Sequence, residues 1–494
     1  MAAAAPVHVL LFPFMSKGHT IPLLHLTRVL LLRCPQANVT IFTTPGNKAF
    51  IFRSLSDLLN SGGGISIIDL PFPSSIPGIP SGVESTDQLP TISLFLSFAT
   101  AAKLLQPHFE DALQNLLSKH HHHRPCTFLI SDGFLHWTLQ SASKFNIPRF
   151  VFYGMGGYAL TLSTVVSQRG LLSGPESDDE PITVPDFPWI KLTRNDFEHP
   201  FNMRQPKGPH FDFVVEMGMA SASSYGMVVN SFYELEHQFV DYWNAKLLPR
   251  AWCVGPLCLA EKKPKSEAHE KPTWLDWLDQ KLAQGRSVLY VAFGTQAEVS
   301  NEQLREIAIG LEKSEVDFLW AVSKRGEQQQ TIIDGFEEKV VKNEGRGLVV
   351  REWVEQRQIL GHESVKGFLS HCGWNSVVES ICAKVPILAW PMMAEQHLNA
   401  RIVVEEIKVG VRVETWNGSV RGFVRWEGLE KTVRELMEGE TGKAVRKKVA
   451  EVGQMASNAM EEGGSSRHAL DLLLHELQAQ CTNSADSTGK GPAS

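Results

Sequence analysis

The sequence predicts an α/β protein of two doubly wound domains, and three observations carry that expectation. The chain has 494 residues, too many for one hydrophobic core, so two domains of about 200 residues or more are the natural division. Short, nearly continuous apolar runs alternate with longer stretches of helical periodicity, the pattern of βαβ units around parallel sheets. The alternation stops at a charged, proline-containing stretch and then restarts, which marks a second domain facing the first across a cleft. In such sheets ligands sit beyond the carboxyl ends of the strands.

Taken in order, the first half offers strands at His8–Pro13, Asn38–Thr44, Ile65–Leu70, Thr127–Ser131, Arg149–Tyr153 and Met227–Asn230. They are apolar at successive positions, as strands covered on both faces must be. Helical patterns fall at Ile21–Leu32 and Ile92–Ser118. The segment from Leu171 to Pro206 is rich in Pro, Asp and Gly and reads as an irregular excursion. After Trp252–Pro256 comes Ala260–Pro272, AEKKPKSEAHEKP, which has no large apolar residue and reads as a linker. Strands resume at Ser287–Phe293, Phe318–Val322, Gly347–Arg351, Gly367–Leu369, Ile387–Trp390 and Gly410–Val413. Ser300 and Gln303 resemble a capping box for a helix through Leu311. The pattern Ala469–Leu477 gives a last helix, Arg467–Gln478. The expected boundaries are 1–256, a linker 257–275, a second domain 276–465, a helix 466–480 and a disordered tail 481–494.

Composition narrows the function. The apolar fraction is 43% and the charged fraction 20%, with a net charge of −7, so nothing favours a nucleic-acid or membrane surface as partner. Small-molecule chemistry is the default. Cys34, Cys126, Cys253, Cys258, Cys372, Cys382 and Cys481 are scattered without zinc-ligand spacing and read as reduced thiols of a cytosolic protein. The opening MAAAAPVHVLLFPF lacks a basic flank and carries Pro13, so it reads as a buried strand and not as a signal peptide. A cytoplasmic monomer without a metal is expected. The histidine run 120–123 sits in a loop, where metal binding is the weaker reading.

Candidate chemistry clusters at strand ends. His19 follows the first strand, and an imidazole can take a proton from a hydroxyl near neutral pH; alone it reads more readily as a polar loop residue. Asp132 follows the strand Thr127–Ser131, where it can orient that imidazole or cap the next helix. The turn His371–Ser376 lies between a strand and a helix, so its N–H groups can receive an anion, with Gly373 allowing close approach. Ser376 and Glu379 also fit a capping box that simply starts that helix. Thr295, after another strand, is a second candidate phosphate donor. Trp353 can stack on a planar base, although a tryptophan is more often core. Glu379 can accept from ribose hydroxyls, and Glu395 and Gln396 offer acceptors and an amide suited to sugar hydroxyls. The apolar stripe Ile92–Phe98 is core by default but can line an aromatic pocket.

These residues resemble a family. The stretch Trp353–Gln396 resembles the signature box of plant secondary-product UDP-glycosyltransferases, through Trp353, Gln356, His371, Gly373, Trp374, Asn375, Ser376, Glu379, Pro386, Trp390, Pro391, Glu395 and Gln396. Gly18-His19, Asp132 and the Phe293-Gly294-Thr295 loop extend the likeness, and their order most resembles members acting on flavonoids and other phenolics. The resemblance implies a GT-B fold, with acceptor in the first half and UDP-sugar in the second, and an inverting transfer without metal or other cofactor. It implies His19 as general base and Asp132 as its partner. Trp353, with Val354 beside it, would stack on uracil, and Gln356 and Glu379 would bind ribose. Thr295, His371, Asn375 and Ser376 would hold the phosphates, with Gly373 at the turn; Trp374, Glu395 and Gln396 would meet the sugar. Gln396 at the last position favours glucose. UDP-glucose-dependent O-glucosylation of a small phenol is the resulting expectation. The rivals are a terpenoid, hormone or xenobiotic acceptor, another UDP-sugar, or an inert UDP-sugar-binding protein. Glu355, Lys384 and Gly154 depart from the family pattern, which has Pro, Gly and Thr or Ser there.

Overall fold

The computed structural model describes residues 7–118, 126–260, 271–322, 326–342 and 344–488. The histidine run 120–123 and most of the expected linker lie outside them. Strands follow in chain order: β1 (Val7–Phe12), β2 (Asn38–Thr43), β3 (Ile65–Asp69), β4 (Cys126–Asp132), β5 (Arg149–Tyr153), β6 (Ile182–Val184), β7 (Phe187–Leu192) and β8 (Gly226–Val229). Then come β9 (Ala251–Cys253), β10 (Val288–Ala292), β11 (Asp317–Ala321), β12 (Gly347–Val350), β13 (Val365–Ser370), β14 (Ile387–Ala389) and β15 (Gly410–Arg412).

Two parallel sheets result, in the orders β3-β2-β1-β4-β5-β8-β9 and β12-β11-β10-β13-β14-β15. Each runs outward in both directions from its first strand, so strand order reverses between β1 and β4 and between β10 and β13. At such a reversal the helices leave to opposite faces and a crevice opens at the carboxyl edge. Successive residues of one strand serve opposite faces. Val7, Val9 and Leu11 enter one core while Leu10 and Phe12 enter another. Leu289, Val291 and Phe293 part in the same way from Val288, Tyr290 and Ala292.

The chain divides into two compact units: Met1–Gly157 with Lys207–Lys262 and Ala459–Ser494, and Tyr158–Pro206 with Lys263–Asn458. Tyr158–Pro206 thus belongs with the second unit, which differs from the expected boundaries. That segment is also less irregular than expected, since it contains the antiparallel hairpin β6–β7. Pro188 within β7 masked the strand, as proline suits only an edge. The last helix runs Ser465–Thr488, so the expected disordered tail is helical to Thr488. Extending a helix already held by packing is far easier than nucleating one. Its Leu470, Leu473, Leu474 and Leu477 are buried in the first unit's core, at a helical spacing and about 2 kcal/mol of burial each.

Two further corrections bear on the site. The first helix spans Lys17–Arg33 with Pro22 inside it, so His19 lies in its first turn and not in a loop before it. The helical pattern Ile92–Ser118 is broken into shorter turns and helices around residues 102–105. Pro107, at the start of the helix Gln106–Ser118, cannot donate to a preceding turn. Among the described residues, Cys34, Cys253, Cys258, Cys372 and Cys382 are thiols outside any disulfide. Cys126 is disulfide-bonded, against the expectation of reduced thiols throughout. No helix among the described residues is long and apolar enough to cross a membrane.

Two of the family departures find local explanations. Glu355 has φ −77° at the start of the helix Gln356–Leu360, close to the angle proline imposes. Lys384 has φ +60° just after the helix Trp374–Cys382. Its N–H bonds to the Ile381 carbonyl, and that of Val385 to the Ser380 carbonyl, both at 2.9 Å, the double closure of a Schellman motif that favours glycine. A left-handed lysine costs about 1–2 kcal/mol, and glycine's larger unfolded-state entropy returns about 0.5–1 kcal/mol of that. Lys384→Gly is therefore expected to stabilise the protein by about 0.5–1 kcal/mol, read as a higher urea midpoint.

Candidate active site

In the first unit, the two adjacent strands at the reversal deliver one residue each. The helix after β1 begins at Lys17 and presents His19; β4 ends on Asp132. His19 Nδ1 lies 2.7 Å from Asp132 Oδ2. A carboxylate only accepts, so this contact places the proton on Nδ1 and the lone pair on Nε2, the tautomer a base needs. Asp132 is almost wholly buried, with 2% side-chain exposure against 26% for His19. Its other oxygen, Oδ1, accepts from Phe134 N at 2.9 Å and caps the turn Gly133–Leu135. Both readings of Asp132, helix cap and histidine partner, therefore hold, one on each oxygen.

Aromatic rings surround the imidazole. Phe134 lies 5.1 Å from it, and Phe14 meets it edge-on at 5.7 Å. Phe95 and Phe98 extend the wall through Phe14, so the stripe Ile92–Phe98 divides between core and wall: Phe98 is buried and Phe95 half-buried. A side chain added at Gly154 would first meet His19 and the Gly18 carbonyl at 3.9 Å, so the missing Thr or Ser leaves space beside the imidazole. Arg149 was missed by sequence reasoning. Buried beneath Asp132, it donates from Nε to Ser131 Oγ at 2.8 Å and from Nη1 to Ser224 Oγ at 2.6 Å, and reaches the Asp132 carbonyl at 3.4 Å. Burial draws its guanidinium down to about 10, still charged at neutral pH. A lone arginine opening an apolar strand gave no signal of this.

In the second unit, the loops after β10 and β13 meet at the other reversal. The His371 ring packs between Gly294 and Gly373, where an added Cβ would approach Nε2 to 2.9 and 2.5 Å respectively. Loss of water holds the His371 imidazole down at about 4. It is therefore neutral in the cell and can serve a phosphate only as an uncharged donor. Its buried Nδ1 has no hydrogen-bond partner among the described residues. The helix starts at Trp374 with Gly373 as N-cap and no side-chain cap. Ser376 thus lies inside the helix, and the capping-box reading fails. Ser376 Oγ accepts from Gln356 Nε2 at 2.9 Å, so its own hydrogen remains to be donated. Thr295 is exposed in the turn after β10. The first-turn N–H groups, including that of Asn375, can bind an anion.

The same Gln356 amide donates to Glu379 Oε2 at 2.8 Å, fixing both partners. Trp353 is 52% exposed, far more than a core tryptophan, whereas Val354 packs against the core around Tyr290. Trp374 is buried, so what it can offer a ligand is its backbone N–H. Gln396 Oε1 accepts from Met392 N and Met393 N, each at 3.0 Å, which turns the amide nitrogen away from that bend. Asn399 escaped the sequence reading: its Nδ2 donates to the Cys372 carbonyl at 2.9 Å and to Glu395 Oε1 at 3.2 Å. One buried amide thereby ties the turn after β13 to the carboxylate of Glu395. Its spacing of four from Glu395 on a helix was the available signal.

A family profile described as "UDP-glucoronosyl and UDP-glucosyl transferase" matches residues 212–446. The chain is 53% identical to UDP-glycosyltransferase 90A1 of Arabidopsis thaliana, covering 98% of each. It is 36% identical to UDP-glucose flavonoid 3-O-glucosyltransferase 7 of Fragaria ananassa, over 95% of this chain and 96% of that one. Among solved structures it is similar to Glycyrrhiza uralensis UGT73P12 complexed with glycyrrhetinic acid 3-O-monoglucuronide, with a TM-score of 0.87, 29% identity and 98% of both chains covered. Two parallel doubly wound sheets, a signature box on the second and relatives matched along nearly their whole length lead to one conclusion: the chain is a transferase of the plant family 1 UDP-glycosyltransferases, with the GT-B fold and a UDP-sugar as donor.

Proposed function

We propose that the protein transfers glucose from UDP-glucose to a hydroxyl of a flavonoid or similar small phenol, with inversion at the anomeric carbon. The observation that carries this reading is the 2.7 Å contact between His19 and Asp132 beside an aromatic wall. A binding protein has no use for an oriented base, whereas a phenol needs one and stacks well on phenylalanine. His19 Nε2 takes the phenolic proton as the oxygen attacks the anomeric carbon. The C–O bond to UDP breaks, and the charge of departing UDP settles on the helix end at Asn375 and Ser376 with Thr295 and His371. Asp132 stabilises the imidazolium formed. Trp353 stacks on uracil; Gln356 and Glu379 hold ribose; Glu395 and Gln396 hold the sugar hydroxyls.

The Fragaria relative's name, a flavonoid glucosyltransferase using UDP-glucose, supports both the donor and the acceptor class. Mass spectrometry of products from UDP-glucose with a panel of flavonols, anthocyanidins, coumarins and terpenoid alcohols tests the reading. Hexosides confined to the phenolic members are expected. Transfer only to terpenoid alcohols would overturn the acceptor class, and transfer only from another UDP-sugar would overturn the donor.

A further inference from the structure

A cavity of about 410 Å3 opens in the second unit, behind the bend Trp390–Met392 of the signature box and lined by none of the side chains assigned above to UDP or the sugar. Its polar lining comes from Arg412, Arg421, His397, Ser300, Gln303 and Thr415, with Glu298 as the carboxylate. His397 is 2% exposed, and neither ring nitrogen has a hydrogen-bond partner among the described residues. Burying polar atoms unpaired costs about 1–3 kcal/mol each, so a fold keeps them where a ligand satisfies them.

The surrounding guanidinium groups are not equally served. Arg401 is held by Asp196 and Glu405. Arg421 is held by Glu198 and by the carbonyls of Asn195 and Phe197. Arg412, half-buried, reaches only the Val420 carbonyl at 3.5 Å and makes no ion pair among the described residues. Burial lowers its guanidinium, and the nearby charges of Asp196 and Glu405 offset this only in part. Burial first, then Arg421, Arg412 and Arg401, hold the His397 imidazole well below its usual range. It is neutral and offers one N–H donor and one acceptor. Ser300 and Gln303 open the helix Asn301–Ser314, whose positive end faces the same space.

We propose that this cavity is a binding site for a small oxyanion, a phosphate or a carboxylate, gripped by Arg412 and hydrogen-bonded to His397. Arg412 takes two oxygens in a forked contact and His397 takes a third or a hydroxyl.

The test is calorimetric titration with inorganic phosphate, and separately with succinate, of protein saturated with UDP so that the donor helix end is already filled. Binding of at least one of them is expected, weakened at least about tenfold in Arg412→Gln and in His397→Leu. Asn375→Ala, which alters the donor helix end instead, is expected to keep it. The anion that binds more tightly separates the two sources. No binding heat from either anion, or equal affinity in Arg412→Gln, overturns the proposal. Should the variants melt below the assay temperature, a selenate soak of wild-type crystals decides. An anomalous peak between Arg412 and His397 supports the site, and its absence there overturns it.

Discussion

In His19→Ala, kcat toward a phenol of ordinary acidity is expected to fall by about 10^2–10^4-fold, the range a positioned general base supplies. KM for the UDP-sugar should hold, because the donor residues belong to a separate sheet. Asp132→Asn is the matching variant. Its Oδ1 still accepts from Phe134 N, so the turn Gly133–Leu135 keeps its cap. The amide that replaces Oδ2 cannot accept from His19 Nδ1, so the imidazole loses the tautomer that makes it a base. The double variant is expected to be no worse than His19→Ala alone, since the two side chains act as one unit. An acidic nitrophenol, already partly ionised at neutral pH, should recover much of the lost rate in His19→Ala. Product formation measured by mass spectrometry across acceptors of graded acidity reads all of this. Undiminished glycoside formation by His19→Ala would sink the base assignment.

That dyad was only half legible in the sequence. Strand ends are written in short apolar runs, so the places of His19 and Asp132 along the chain could be read directly. Their adjacency could not, because it depends on β4, which begins at Cys126, pairing beside β1, which ends at Phe12. The resemblance to a known family supplied the pairing. Within the donor box, the turn and helix after β13 were legible because glycine, asparagine and serine after a strand have few other uses. What those side chains do to one another was not. Gln356 was expected only to meet ribose, yet it also braces Ser376 and Glu379. His371 was expected as a phosphate ligand of unspecified charge, and its neutrality follows from packing between Gly294 and Gly373. Periodicity placed the first helix at Ile21–Leu32, later than its start at Lys17, because the turn Lys17–Thr20 carries no large apolar residue to set the period. A proline inside a helix is tolerated where packing outweighs one missing hydrogen bond.

The largest stability effect is expected from Asp196→Ala, at about 3–5 kcal/mol, the cost of leaving one member of a buried ion pair uncompensated. Asp196 is fully buried in the segment Tyr158–Pro206 and holds Arg401 through both oxygens, at 2.7 Å to Nε and 2.8 Å to Nη2. The same carboxylate accepts from Thr193 N at 2.7 Å and from Thr193 Oγ1 at 3.0 Å, closing a capping box at the turn Arg194–Asp196. Burial alone would weaken the Arg401 guanidinium's hold on its proton, but the bonds to Asp196 outweigh that and raise its pKa. Removing the carboxylate leaves the desolvation without the compensation. Replacing both residues, as Asp196→Ala with Arg401→Met, should cost less than Asp196→Ala alone, because no stranded charge remains. Urea unfolding followed by tryptophan fluorescence, run as a double-mutant cycle, measures the coupling. An unchanged midpoint for Asp196→Ala would show that the pair contributes no stability. The effect should also reach the chemistry. Arg401 ends the helix that Gln396 begins, so loosening its anchor is expected to raise KM for the UDP-sugar while KM for the phenol, bound in the other unit, stays near the wild-type value.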